Sequence, residues 1–264
     1  MQIAPACRCA CAAIHPHAAL GATGGAVVEL PLDTLATPPA PAAEDMKGHR
    51  ARLRTRLLAD AEGMLDHELV EYLLALAIPR QDTKPLAKAL LRTFGTLPAL
   101  LNADPALLAR VSGMGETSAA ALKIVHAAAI RMVRTQAQAA PVLANWQALT
   151  DYLHANMAHD AVEAFHVLHL NTRNMLMRDE RMNRGTIDEA PVHVREVVKR
   201  ALELGSAALI LVHNHPSGDP SPSRADIDIT RTIVAAGKPL GITVHDHIIV
   251  GLSGQVSLRA KGLI

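Results

Sequence analysis

The stretch Ser206-Ala-Ala-Leu-Ile-Leu-Val-His213-Asn-His215-Pro-Ser-Gly-Asp-Pro-Ser-Pro-Ser223-Arg-Ala-Asp226 decides how the second half of the chain is built. Its first seven residues form a short continuous apolar run, the pattern of a strand buried on both faces. His213 and His215 stand where that run ends. Side chains alternate faces along an extended chain, so residues two apart project to the same side and both imidazoles can reach one ion. Pro216, Gly218, Pro220 and Pro222 stiffen and turn the following loop. Ser223 with Asp226 three residues on then reads as the capped start of a helix. An acid in the first helical turn would lie close to the strand end, and two histidines with one aspartate are ligands that suit zinc with a position left for water. The same residues admit plainer roles, since an acid in a first turn favours any helix dipole.

Working outward from this stretch, Val194, Val197, Val198, Ala201 and Leu204 make one stripe of a helix that ends at Gly205. Trp146 to Asn156 reads as a further helix, 164–170 as a strand, Asn171-Thr-Arg-Asn174 as a hairpin turn and Met175 to Met182 as its partner. Beyond the motif come a helix from Ser223 to about Ala236 and a strand through 242–250. Helices interspersed among strands imply a mixed sheet covered by helices. His245 and His247, two apart on the last strand, fit packing or support of the ligands better than a second metal site, because no acid at helix-start spacing accompanies them. His166 and His169 lie on opposite strand faces.

The first half is different. From Lys47 to about Arg134 leucines recur at intervals of three and four, as in Leu65, Leu69, Tyr72, Leu73 and Leu76, which predicts a small helical bundle. Within it Val111-Ser-Gly113-Met-Gly115-Glu-Thr-Ser-Ala119-Ala-Ala-Leu122 is similar to a helix-hairpin-helix motif, in which glycines make the turn and leave backbone N–H groups for a phosphate. Glu116 and Thr117 replace the basic residues usual in DNA-binding versions, so a hairpin that only packs the bundle is an equal expectation. Lys47, Arg50, Arg52, Arg54 and Arg56 form a basic run that reads either as a solvated helix face or as an arm for phosphates.

Four segments are therefore expected: a disordered Ala/Pro-rich leader over 1–45, a helical domain over 46–134, a linker over 135–145 and a mixed domain over 146–264. Met46 is an alternative start. Cys7, Cys9 and Cys11 all fall in the leader, so the body has no disulfide framework. The net charge of +1 gives no global attraction to nucleic acid or to a membrane. With two tyrosines, two phenylalanines and one tryptophan, a base-stacking surface is excluded. No membrane span or signal peptide is evident, and a cytoplasmic location is expected.

Hydrolysis at such a centre needs a proton acceptor. Glu163, Glu180, Glu189, Glu196 and Glu203 precede the motif, and spacing does not choose among them. Glu163 would stand beside the ion if the strand at 164–170 neighbours 206–212.

His213-x-His215, seven residues, Ser223, two residues, Asp226 resembles the JAMM signature of the JAB/MPN metalloproteases. Arg184-Gly185-Thr186, His213-Asn-His-Pro-Ser-Gly-Asp-Pro220 and Asp246-His-Ile-Ile-Val-Gly251, with Gly48-His49-Arg50 and 77–88 in the helical half, resemble the bacterial RadC family more narrowly, over about 46–264. The resemblance implies an α+β architecture: a helical bundle with a helix-hairpin-helix-like motif, then an MPN-type domain, a cytidine-deaminase-like sandwich around a mixed sheet. It implies that His213, His215 and Asp226 bind one Zn²⁺, that Ser223 stabilises the oxyanion of a tetrahedral intermediate, and that Glu163 is the acid and base. The sequence after Glu163, Ala-Phe-His-Val-Leu-His-Leu170, departs from the glycine-containing pattern of the eukaryotic deubiquitinating relatives. The leading expectation is a zinc-dependent peptidase or isopeptidase acting on a protein or peptide. Its rival is a DNA-associated repair accessory protein in which the helical domain meets DNA and the JAMM domain is a scaffold.

Overall fold

The structure, a computed structural model, describes residues 43–182 and 192–264, with the side chains of 43–47 left aside. The leader with its three cysteines, and Arg184, Gly185, Thr186 and Glu189, lie outside the described residues. Six helices come first: α1 (Ala43–Ala59), α2 (Asp66–Ala77), α3 (Lys84–Phe94), α4 (Leu97–Asn102), α5 (Pro105–Leu108) and α6 (Glu116–Gln138). They pack around Val70, Leu74, Leu90, Leu100, Leu108 and Leu122. In α2 the buried stripe runs through Val70, Leu74 and Ala75, one position on from the expected Leu69 and Leu73, and Leu65 and Leu76 are exposed. Thr96 and Asp104 cap α4 and α5 by accepting from the N–H groups of Ala99 and Ala106. Burying each leucine here stabilises the bundle by roughly 1.5–3 kcal/mol before entropy is counted.

α1 and the loop after α2 are joined by the two motifs of this half. His49 Nε2 lies 2.6 Å from Oε1 of the buried Glu71, and Arg50 donates to the carbonyls of Ile78 and Gln81, closing the loop in which Arg80 adopts φ +66°. Arg56 forms a two-pronged pair with Glu68. The basic run is thus divided, with the half-buried Arg50 holding the loop after α2, Arg56 paired with Glu68 at the surface, and Arg52 and Arg54 exposed.

The remaining elements are α7 (Trp146–Met157), β1 (Phe165–Leu170), β2 (Leu176–Arg181), α8 (Val194–Glu203), β3 (Ala208–Asn214), α9 (Arg224–Gly237), β4 (Thr243–Gly251) and β5 (Gly254–Ser257). The mixed sheet has the order β2-β1-β3-β4-β5, and only β3 and β4 pair in parallel. One face carries Leu168, Leu170, Ile210, Val212, Ile248 and Val250 under α7. The other carries Phe165, Val167, Leu209, Leu211 and Val244 under α8 and α9. This is an α+β sandwich with β3 at its centre, all seven of its residues buried.

Several boundaries depart from the sequence expectation. α1 starts three residues inside the stretch assigned to the leader. The run expected as a strand over 206–212 becomes a strand over Ala208–Asn214, so His213 belongs to β3 itself. α6 continues into the stretch expected as a linker, where Ala137 and Val142 are fully buried with Ile130, Val133 and Trp146 packed nearby. Residues Ala40–Ile264 form one compact unit. β5 has no strong signal in the sequence, because its four residues are flanked by turns and only Val256 is apolar.

Candidate metal centre

Three elements bring the site together. β3 delivers His213 and its chain exit delivers His215, while α9 delivers Asp226 from the third position of its first turn. Ser223 is the N-cap: its hydroxyl oxygen accepts from Asp226 N–H at 3.2 Å, and Asp226 Oδ2 accepts from Ser223 N–H at 2.7 Å. The capping box and the ligand-type geometry use different carboxylate oxygens, since Oδ1 faces His213 Nε2 at 3.3 Å. His213 Nε2 and His215 Nε2 are 2.9 Å apart, and His215 Nε2 is 3.8 Å from Asp226 Oδ2. Among the described residues these three form a group able to hold a metal, with donor atoms all within 4.8 Å of one another.

The donor set fits zinc on geometry as well as type. Bonds of about 2.0–2.1 Å at tetrahedral angles separate neighbouring donor atoms by about 3.3 Å. His213 Nε2 lies near that distance from both His215 Nε2, at 2.9 Å, and Asp226 Oδ1, at 3.3 Å, while the 3.8 Å approach of His215 is to Oδ2, the oxygen that also caps α9. His215 Nδ1 lies 2.8 Å from the Asp219 carbonyl oxygen, which can only accept, so Nδ1 carries the proton and Nε2 is left bare. Burial is the main reason that His213 resists protonation, and the neighbouring His215 adds to it. Burial also pushes Asp226 up, but His213, the bonds to Ser223 and His215 outweigh it and hold the carboxyl below its usual range.

The loop from 215 to 222 is pinned to the turn between β4 and β5. His215 N–H donates to Val250 O at 2.8 Å, and the Gly218 carbonyl accepts from Ser253 through both N–H and hydroxyl, at 3.2 and 2.8 Å. Gly218 needs its φ of +84° for this, and a Cβ at Gly251 would lie 2.4 Å from the Gly218 oxygen. Gly251 is therefore the clearance that lets the histidine loop lie down.

β1 pairs antiparallel with β3, the neighbour relation on which the placing of Glu163 depended. Phe165 faces His213 in that ladder, and continuing the register two residues sets Glu163 across from His215. Burial raises the Glu163 carboxyl above its ordinary pKa; the His215 ring pulls the other way and the Asp226 charge raises it further. The other described acids are committed elsewhere: Glu180 and Glu203 to Arg200, and Glu196 to Arg195.

Two further residues hold the site in place: Asn214, to which the sequence reading gave no role, and His247, which it expected to pack or to support the ligands. Asn214, between the two histidines and on the opposite pleat, accepts from Ala164 N–H at 2.8 Å and donates to Val162 O at 3.2 Å, gripping both sides of Glu163. A polar residue at the buried end of a central strand is the signal that marked it. His247 lies behind His213, with Nε2 2.8 Å from His213 Nδ1 and Nδ1 2.5 Å from the Thr230 hydroxyl. It reaches that face because β4 carries a bulge: Val244 pairs with Leu209 but Asp246 with Ile210, so His245 is one residue extra. Val244 and His247 consequently share the α8/α9 face, while His245 turns to Asn174 Oδ1 at 2.7 Å. His166 and His169 do face opposite sides, paired with Asp179 and Ser206.

In the helical half Gly113 takes φ +92° and Gly115 caps α6, the hairpin geometry expected of the Gly-x-Gly pair. The Gly115 N–H, however, donates to Ser118 Oγ at 2.8 Å. One of the backbone donors expected to be open to a phosphate is consumed within the hairpin.

Comparison with known proteins agrees with this anatomy. Residues 143–263 match the model of the RadC-like JAB domain, and residues 84–125 match a SAM-like helix-hairpin-helix tandem. A UPF0758 protein of Rhodobacter capsulatus is 53% identical over 213 residues, covering 80% of this chain and all of the relative. A UPF0758 protein of Ruegeria pomeroyi is 50% identical over 220 residues, covering 83% of this chain and 98% of the relative.

Proposed function

From the premise that the chain belongs to the RadC family, we propose that it is a zinc-dependent hydrolase of amide bonds, a peptidase or isopeptidase. The observation that carries this reading is the convergence of His213 Nε2, His215 Nε2 and the Asp226 carboxylate, whose donor atoms all lie within 4.8 Å of one another, as a single cation would need. When bound, zinc supplies a Lewis acid that polarises a carbonyl and brings water within reach of deprotonation near neutral pH. Glu163 takes the proton from water and returns it to the leaving amine, a shuttle suited to a carboxyl whose pKa is raised by burial. The Ser223 oxygen accepts from the helix, which leaves its O–H to donate to the oxygen on which negative charge develops. No helix among the described residues is long and apolar enough to cross a membrane.

The test is elemental analysis of the purified protein together with hydrolysis of a fluorogenic peptide library. One zinc per chain, lost in His213→Ala, and cleavage abolished by a chelator and restored by zinc are expected. Absence of stoichiometric zinc, with metal content unchanged in His213→Ala, sinks the reading.

The hairpin at 113–115 and its match to a helix-hairpin-helix tandem favour a second, compatible reading, in which the helical half recruits the hydrolase to DNA. Because Arg50 binds the carbonyls of the loop after α2 and Arg56 is paired with Glu68, the informative variant is Arg52→Glu with Arg54→Glu. Salt-dependent binding to a DNA duplex, lost in that variant, supports it; binding that ignores salt, or none, counts against it.

A further inference from the structure

Starting from the helix backbone, the hydrogen-bond chain behind His213 has only one consistent direction. The Thr230 hydroxyl contacts the carbonyl oxygen of Asp226, one turn earlier in α9. A carbonyl cannot donate, so Thr230 gives its proton there. Its oxygen is then an acceptor for the His247 nitrogen 2.5 Å away, and Nδ1 of His247 must carry the N–H. His247 is fully buried, which favours a ring with one proton. Its Nε2 is consequently bare and accepts from His213 Nδ1–H across 2.8 Å. His213 is left with an unprotonated Nε2, aimed at Nε2 of His215, whose other nitrogen donates to the Asp219 carbonyl.

We propose that Thr230 and His247 are positioning residues that fix the tautomer of His213, so that a lone pair faces the cation before any cation arrives. The proposal rests on the reading of His213 as a ligand. Without the relay, His213 has a better alternative: a proton on Nε2 can be donated to Asp226 Oδ1, 3.3 Å away, which closes the site against a metal. Two bare imidazole nitrogens facing each other at 2.9 Å beside a carboxylate repel, and a divalent cation relieves all three at once. The α9 backbone serves twice, holding the Asp226 side chain by its cap and setting the proton on His213 through the Asp226 carbonyl.

The metal-free, full-length protein, labelled with ¹⁵N histidine, reports the tautomer directly by long-range ¹H–¹⁵N correlation. The expected result is Nδ1–H for His213 in the native protein and Nε2–H in His247→Phe and in Thr230→Val. Zinc affinity, measured by competition with a chromophoric chelator, is expected to fall on the order of 10–100-fold in both variants, the usual effect of losing a partner behind a ligand. His247→Gln keeps an acceptor for His213 and a donor for Thr230, and Thr230→Ser keeps the hydroxyl. Both are expected to retain most of the affinity and the Nδ1–H tautomer, which a loss due only to packing would not restore. If His247→Phe does not fold, the Thr230 pair decides the matter. An unchanged tautomer and affinity in Thr230→Val overturn the relay. Native protein that shows Nδ1–H yet binds no zinc upholds the relay and overturns the ligand reading, while Nε2–H on native His213 overturns the relay whatever the metal does.

Discussion

Phe165 stands directly opposite His213 in the antiparallel ladder between β1 and β3, and its ring stacks on the imidazole with centroids 6.3 Å apart and planes 12° from parallel. That pairing links two parts of the chain that are nearly fifty residues apart. It seals the inner side of His213 with an apolar ring, and it brings the residues just before β1 to the exit of β3, where the second histidine stands.

Glu163→Gln keeps the shape of the side chain and removes its basicity. Peptide hydrolysis should fall on the order of 10²–10⁴-fold, while zinc content by elemental analysis stays at the native level. Loss of zinc together with activity would show that Glu163 is needed to hold the ion rather than to move a proton.

Asn214→Ala should separate placement of the acid from binding of the metal. It deletes the bonds to Ala164 N–H and Val162 O, leaving the segment around Glu163 ungripped. The turnover number should drop with zinc affinity little changed, and stability should fall by about 1–3 kcal/mol for the orphaned buried groups. Asn214→Asp, which still accepts from Ala164, should recover part of the turnover; equal loss in both variants would argue against the grip.

Asp226 is shared by a helix cap and the metal centre, and two substitutions divide the roles. Asp226→Asn can still accept from Ser223 N–H, so it should lose zinc affinity with a stability change under about 1 kcal/mol in the metal-free state. Asp226→Ala should lose both, with a further cost of about 0.5–2 kcal/mol by chemical denaturation. Equal stability of the two metal-free variants would mean the cap contributes nothing.

Gly251→Ala places a Cβ 2.4 Å from the Gly218 carbonyl oxygen. The histidine loop must lift, and its first casualty is the His215 N–H bond to Val250 O. Weaker zinc binding is expected although residue 251 carries no donor atom. A native affinity would show that the loop has slack.

The metal-free protein should lose stability as pH falls. Burial, helped by His213 and partly opposed by Asp226, pushes the His247 pKa down to about 3. Between that value and the unfolded pKa of about 6.5, the unfolded chain binds the proton and the folded one does not. The contribution is present above the unfolded pKa and is lost as pH drops towards the folded one. From pH 7 to pH 5 this group alone accounts for roughly 2 kcal/mol. Urea denaturation at the two pH values should show the slope, and His247→Gln should flatten it by about that amount.

The residues legible from the sequence are those whose neighbours in space are also neighbours in the chain. His213, His215, Ser223 and Asp226 span fourteen residues, and strand alternation plus a helix cap suffices to bring them together. Four strands of the mixed sheet were legible from their own residues and flanking turns, and β5 was not, because Val256 is its one apolar residue. Glu163 came from family resemblance, and its placement follows only from which strand neighbours β3. Asn214 and His247 depend on the sheet order and on the bulge in β4, neither of which leaves a local trace. Arg50 shows the same limit from the other side: a cation in a basic run reads as solvent-facing until the loop carbonyls of Ile78 and Gln81 are seen to converge on it. The expected linker was read from its composition, and composition does not reveal that Val142 is buried against α7.

The extra residue in β4 makes the pleat a matter of parity. Every residue after His245 sits on the face that its number alone would deny it, so the imidazole of His247 and the apolar Ile248 and Val250 all keep their sides because the bulge absorbs one residue. Deleting His245 would remove the extra residue and leave a regular strand with Asp246, His247 and Ile248 on their present sides, whereas a strand that kept every residue but lost the bulge would offer the core a histidine and the proposed metal site an isoleucine. One further residue inserted without a second bulge would have that same effect, with every proposed ligand still written in the gene.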